Sequence, residues 1–143
     1  MTTDPTVIRS IAVTAQDVVA AVETNRTTDR EAVLRITPPF SGRMRARLHV
    51  RQETAPDSGS DADPVHVDPD RLLGPDAPAY PRPAETEDQL RADPDREYSV
   101  EAHREYHESA VESWRTALGD AIKAEVALDT GAGNHEVEVR VLG

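Results

Sequence analysis

Val7, Ile11 and Val13 share one parity at the start of the chain, and after Thr14 the apolar spacing changes to Val18, Val19 and Val22. The first spacing predicts a strand and the second a helix. Thr14 with Asp17 three residues later resembles a capping box, so the helix is expected from there to about Asn25. Ala32 to Thr37 is apolar and β-branched, the break Pro38-Pro39-Phe40-Ser41-Gly42 follows, and a second strand is expected from Arg43 to about Gln52. In that strand Met44, Ala46, Leu48 and Val50 take one face, while Arg43, Arg45, Arg47, His49 and Arg51 take the other.

From Glu53 to about Asp93 the pattern fades into Pro, Asp, Gly and Ser, which predicts a linker or disordered insert, with room for a short strand at Val65 to Val67. Two copies of Asp-Pro-Asp-Arg, at 68–71 and 93–96, each set Asp as a helix cap before a Pro. The first is expected to start a short turn through Leu72 and Leu73, the second a long helix to about Asp120. At 100° per residue, His103, Tyr106, His107, Ala110, Trp114, Ala117, Leu118 and Ala121 form one stripe of that helix. Beyond it, Ala124, Val126 and Leu128, a Gly-bearing turn at 130–134, and Val137, Val139 and Val141 predict a hairpin. The expected fold is α+β: strand-helix-hairpin, insert, then helix-hairpin, with one mixed or antiparallel sheet and two packed helices. It divides a single domain into 1–52, an acidic Pro/Asp-rich linker or long loop at 53–93, and 94–143.

Charge changes the picture. The chain holds 27 acidic and 16 basic residues, net -11, and Lys123 is its one lysine. Such a surface repels itself in dilute buffer and is tolerated where concentrated salt screens it, which points to an extreme-halophile cytoplasm. Cysteine is absent, which excludes disulfides, thiolate metal sites and thiol nucleophiles. Neither a signal-type segment nor an apolar run approaching the ~20 residues of a membrane span is visible, so a cytoplasmic protein is expected.

Four features could carry chemistry. Asp129-Thr130-Gly131 resembles the catalytic turn of retropepsin-like aspartic proteases, although those enzymes continue for several strands after the triplet, and a hairpin turn explains the same residues. His103 and His107 have the i, i+4 spacing of a metal-binding helix, yet Arg104 stands where zinc peptidases place Glu. Both also lie on the core stripe, which favours structural histidines over ligands. Asp57, Asp61 and Asp63 lack the spacing of a calcium loop. The arginine strand is the leading candidate: Arg43, Arg45, Arg47 and Arg51 could bind phosphate or carboxylate groups. Against this, Glu136 and Glu138 could neutralise them if the last strand lies alongside.

The stretch Thr37-Pro38-Pro39-Phe40-Ser41-Gly42-Arg43-Met44-Arg45-Ala46-Arg47-Leu48, with the acidic middle and the shortage of lysine, resembles an uncharacterised family of small acidic haloarchaeal proteins known as a domain of unknown function. The resemblance implies a source and a cytosolic location and lends no catalytic residue. The expected function is a non-enzymatic binding or protein-interaction module using the arginine strand, with no catalytic residue, cofactor or metal and with a protein as the favoured partner. Nucleic acid is an alternative, disfavoured because phosphate contacts weaken steeply with salt and no aromatic platform accompanies the arginines. A metal-dependent or aspartic hydrolase ranks lower.

Overall fold

The computed structural model describes residues 2–51, 63–131 and 133–142. Strand β1 (Ser10–Thr14) runs directly into helix α1 (Ala15–Thr27), where Thr14 Oγ1 accepts the Asp17 amide at 3.0 Å. That is the cap the sequence predicts. Val7 lies in a one-turn 3-10 helix, Pro5–Val7, capped by Asp4, and Ile8 enters the core in its place. At the far end of α1 the Asn25 amide brackets Ala32, accepting its N–H at 2.7 Å and donating to its carbonyl at 3.0 Å. This fixes the entry into β2 (Glu31–Ile36), whose Ala32, Leu34 and Ile36 are fully buried.

The arginine-bearing segment differs from expectation. It is two strands, β3 (Arg43–Arg45) and β4 (Arg47–Arg51), paired in different sheets. β3 runs parallel to β1, and β4 runs antiparallel to β2. Ala46, between them, is fully buried, and its amide donates to Ala12 O at 3.0 Å. The chain therefore changes sheets at the smallest side chain in the segment. Gln52, the expected end of that strand, lies outside the described residues, as do residues 53–62.

The described remainder of the expected insert is structured. Strand β5 (Val65–Val67) pairs with β2, a 3-10 turn spans Pro69–Leu72, and helix α2 (Pro83–Ala92) follows. Val65, Val67, Leu72 and Leu90 are buried, so a few well-spaced apolar residues anchor a stretch whose composition alone reads as linker. The first Asp-Pro-Asp-Arg behaves as expected, with Asp68 Oδ1 accepting the Asp70 amide at 3.0 Å. The second does not open a helix. It forms the turn after α2, and helix α3 (Val100–Gly119) starts at Ser99, whose Oγ accepts the Ala102 amide at 2.9 Å. The sequence is closed by the expected hairpin of β6 (Glu125–Asp129) and β7 (Asn134–Leu142).

The protein is thus α+β with sheets and packed helices, its strands divided between a four-stranded sheet ordered β3-β1-β7-β6 and a three-stranded sheet ordered β4-β2-β5. One core cluster draws on both sheets and on Val18 and Ala21 of α1. A smaller one joins Val19 and Val22 of α1 to Trp114 and Leu118 of α3. Tyr80 meets Trp114 edge-on at 4.8 Å, and Trp114 Nε1 donates to Pro78 O at 3.1 Å. Outside that cluster Arg115 grips Glu23 at 2.8 and 2.9 Å, and these hydrogen bonds hold the Glu23 carboxyl below its usual range.

Because Leu72 is fully buried in the main cluster, Leu72→Ala is expected to lower unfolding free energy by about 2–5 kcal/mol. Denaturant titration followed by Trp114 emission checks this; a change near zero would return the segment to the status of a linker.

Candidate functional site

The outward face of the three-stranded sheet carries an unusual set of neighbours. In register, Arg35 of β2 stands opposite Arg47 of β4 on one side and His66 of β5 on the other. Like charges directly opposite across a strand pair destabilise a sheet, where an opposite pair would contribute roughly 0.2–1 kcal/mol. Arg45 joins this face from β3 of the other sheet, because the crossing at Ala46 brings the end of β3 against β4. Together Arg35, Arg45, Arg47, His49 and Thr37 line a cavity of about 360 Å³, with Met44 and Leu48 as its apolar wall.

Within the described residues these charges are not neutralised by ion pairs: no carboxylate there pairs with Arg35, Arg45 or Arg47. Asp17 Oδ2, on α1, accepts the Leu48 amide of β4 at 3.3 Å. The Nε atoms of Arg35 and Arg45 are buried without a hydrogen-bond partner among the described residues. Leaving a buried donor unsatisfied costs about 1–3 kcal/mol, more for a charged group, so the arrangement is expensive unless a ligand completes it. Arg35 Nη1 lies 3.5 Å from His49 Nε2, and the His49 ring stacks on His66 with centroids 5.7 Å apart.

Of the four arginines singled out by sequence, Arg45 and Arg47 line this cavity. Arg43 is exposed outside it, and Arg51 is engaged with Glu31 at 3.3 Å. Neutralisation by Glu136 and Glu138 does not occur: β1 lies between β7 and β3, and Glu138 stands in register with Ser10. Glu138 instead contacts Arg140 at 3.5 Å. Glu136 crowds Glu125, whose carboxyl is held above its usual range first by the hydrogen bond to Glu136 and then by that residue's charge. Arg35 and Thr37 were missed. The outward parity of Arg35 within the apolar strand was the available signal, but which strand would face it was not written there.

The other candidates are used locally. Asp129 Oδ1 accepts the Gly131 amide at 3.2 Å and Thr130 Oγ1 donates to Gly133 O at 2.8 Å, which is hairpin-turn chemistry; Ala132 lies outside the described residues. Gly131 and Gly133 both have positive φ, so the turn needs glycine there. His103 Nε2 and His107 Nδ1 each lie 2.9 Å from Thr86 Oγ1, a buried hydroxyl on α2, and His103 Nε2 is also 3.0 Å from Pro83 O. The pair thus latches α3 to α2. Among the described residues no group of three or more potential ligands could hold a metal ion. Asp57 and Asp61 lie outside the described residues.

The family described as Domain of unknown function (DUF8009) matches residues 1–143. The chain belongs to this family. No curated protein and no solved structure matches the chain. For a member of DUF8009 the site has to be argued from its own geometry, and the arginine cavity is where the fold bears a cost that packing does not explain. Among the described residues no helix is long and apolar enough to cross a membrane.

Relieving the Arg35–Arg47 opposition is expected to stabilise the protein. Arg47→Thr should raise unfolding free energy by roughly 0.2–1 kcal/mol at the lowest salt in which the protein is folded, and by less in molar salt. Urea titrations at two salt concentrations test this, and a marked loss of stability would mean that Arg47 is a structural residue.

Proposed function

We propose that this chain is a non-enzymatic binding module that receives an anionic group of its partner between Arg35, Arg45 and Arg47, and that it works in a salt-rich haloarchaeal cytoplasm. The observation that carries the binding role is the pair of buried Nε donors of Arg35 and Arg45, unpartnered among the described residues. A buried N–H without a partner gains more from an incoming oxyanion than a hydrated one does, because its desolvation cost is already present in the free protein. His49 Nε2 lies 3.5 Å from Arg35 Nη1, so the imidazole is part of the same cationic wall. Exposed Leu48 and half-buried Met44 beside the cations give the partner an apolar edge to cover. The salt-rich setting is supported by the net charge of -11 and the single lysine.

Nucleic acid stays the second reading on the strength of the arginines alone. It is weakened because no aromatic ring of Phe, Tyr or Trp lines the cavity, and because phosphate-backbone affinity falls steeply with salt.

Affinity capture from lysate at native salt tests the proposal. The Arg45→Ala, Arg47→Ala double variant should keep the buried-Trp114 emission of the folded protein and lose most of its captured partner. A variant that retains every partner would refute the role of the cavity, and loss of the partner on nuclease treatment of the wild-type sample would move the assignment to nucleic acid.

Salt dependence tests the setting. Trp114 is 4% exposed, so its emission should be blue-shifted in molar potassium chloride and red-shifted in dilute buffer as the core opens. Identical emission and circular dichroism at both concentrations would overturn the halophilic assignment.

A further inference from the structure

We infer that the group received by the arginine cavity is a phosphate monoester and not a carboxylate; the inference rests on the binding role proposed above. The argument is a count of donors against acceptors. Arg35 and Arg45 each hold a buried Nε–H without a partner, and Arg47 adds a third guanidinium with no carboxylate against it among the described residues. Thr37 supplies a hydroxyl and His49 an imidazole at the same wall. A single carboxylate brings one negative charge and two oxygens, enough for one guanidinium fork and little more. Three guanidiniums around it would stay under-neutralised in a place where Arg35 and Arg47 already oppose each other across the strands.

A phosphate monoester brings a charge of about -1.5 to -2 at pH 7 and three strong acceptor oxygens. Arranged tetrahedrally, these can meet donors arriving from different directions. The geometry of the cavity has that character, since Arg35 comes from β2, Arg47 from β4 and Arg45 from β3 of the second sheet. A nucleic-acid diester, with one charge and two free oxygens per phosphate, fits the count less well and needs a track of sites, whereas here the cations converge. Met44 and Leu48 form the remaining wall, so the ester substituent meets an apolar surface. A volume of about 360 Å³ lies at the small end of ligand pockets and suits a compact organic phosphate.

The experiment is calorimetric titration of the whole chain in molar potassium chloride, where unspecific surface attraction is screened. Phenyl phosphate and benzoate carry the same ring on the two competing anions. Phenyl phosphate is expected to bind at least tenfold more tightly than benzoate. Arg35→Gln and Arg45→Gln should each weaken it tenfold or more, while Arg104→Gln, on the exposed face of α3, should leave it unchanged. If Arg35→Gln fails to fold by Trp114 emission, Arg35→Lys keeps the charge, removes the Nε donor and is expected to show the same loss. A phosphoserine peptide run beside phenyl phosphate separates the source: tighter peptide binding assigns the ester to a partner's side chain, tighter phenyl phosphate to a free small molecule, and either supports the monoester. Benzoate binding as tightly as phenyl phosphate, or undiminished phenyl phosphate binding in folded Arg35→Gln, overturns the inference. Absence of phenyl phosphate and phosphopeptide binding at millimolar concentration also overturns it; the wider binding role then stands if the Arg45→Ala, Arg47→Ala variant still loses its captured partner, and falls with it if not.

Discussion

Between Arg45 and Arg47 the chain leaves one sheet and enters the other, with the methyl of Ala46 buried at the step and its amide held by Ala12 O. Both neighbouring strands are fixed by this. β3 completes one edge of the four-stranded sheet and β4 one edge of the three-stranded sheet, so the two layers cannot slide against each other without breaking one of them. Bulk at position 46 would push the layers apart, since close-packed interiors yield little. Covering both inner faces at once, the main core cluster depends on the same step.

That step also makes the cavity. A continuous edge strand would have laid its arginines along one sheet face, each free to reach water. Because the chain turns from one layer to the other, Arg45 arrives from β3 beside Arg47 and Arg35, and the Nε atoms of Arg35 and Arg45 are shut away from solvent. Burial without partners and like charge across strands both cost stability. Glu31 engages Arg51 and Glu23 engages Arg115, whereas no carboxylate among the described residues pairs with Arg35, Arg45 or Arg47, which is a specific feature of the architecture.

The α2–α3 latch offers the contrast. There Thr86 is buried between His103 and His107, and every short contact is closed by a neighbouring donor or acceptor. Tyr98 bonds Glu87 at 3.0 Å and its ring lies under Arg91 at 3.7 Å, so α2 is also tied to the segment that leads into α3. Polar groups satisfied in this way hold elements together. The arginine cavity has the opposite character, and the difference separates a structural cluster from a candidate binding site within one small protein.

The sequence by itself determined the α+β class, the cap at Thr14 and the closing hairpin with its Asp129 turn, because alternation and capping act over a few residues. It could not show that Val65, Val67, Leu72 and Leu90 anchor the Pro- and Asp-rich stretch, since four apolar residues in a polar segment declare their partners only when the rest of the core is present. Nor could it place the start of α3 at Ser99 and not at Asp93, two capping-competent residues of similar local merit. Alternation continues unbroken through Ala46, so the change of sheet there is invisible to a period-two pattern. The meeting of Arg35 with Arg45 and Arg47, and the separation of Glu136 and Glu138 from them by β1, were decided by the tertiary structure alone, because strand order is a long-range competition for burial that no local spacing records.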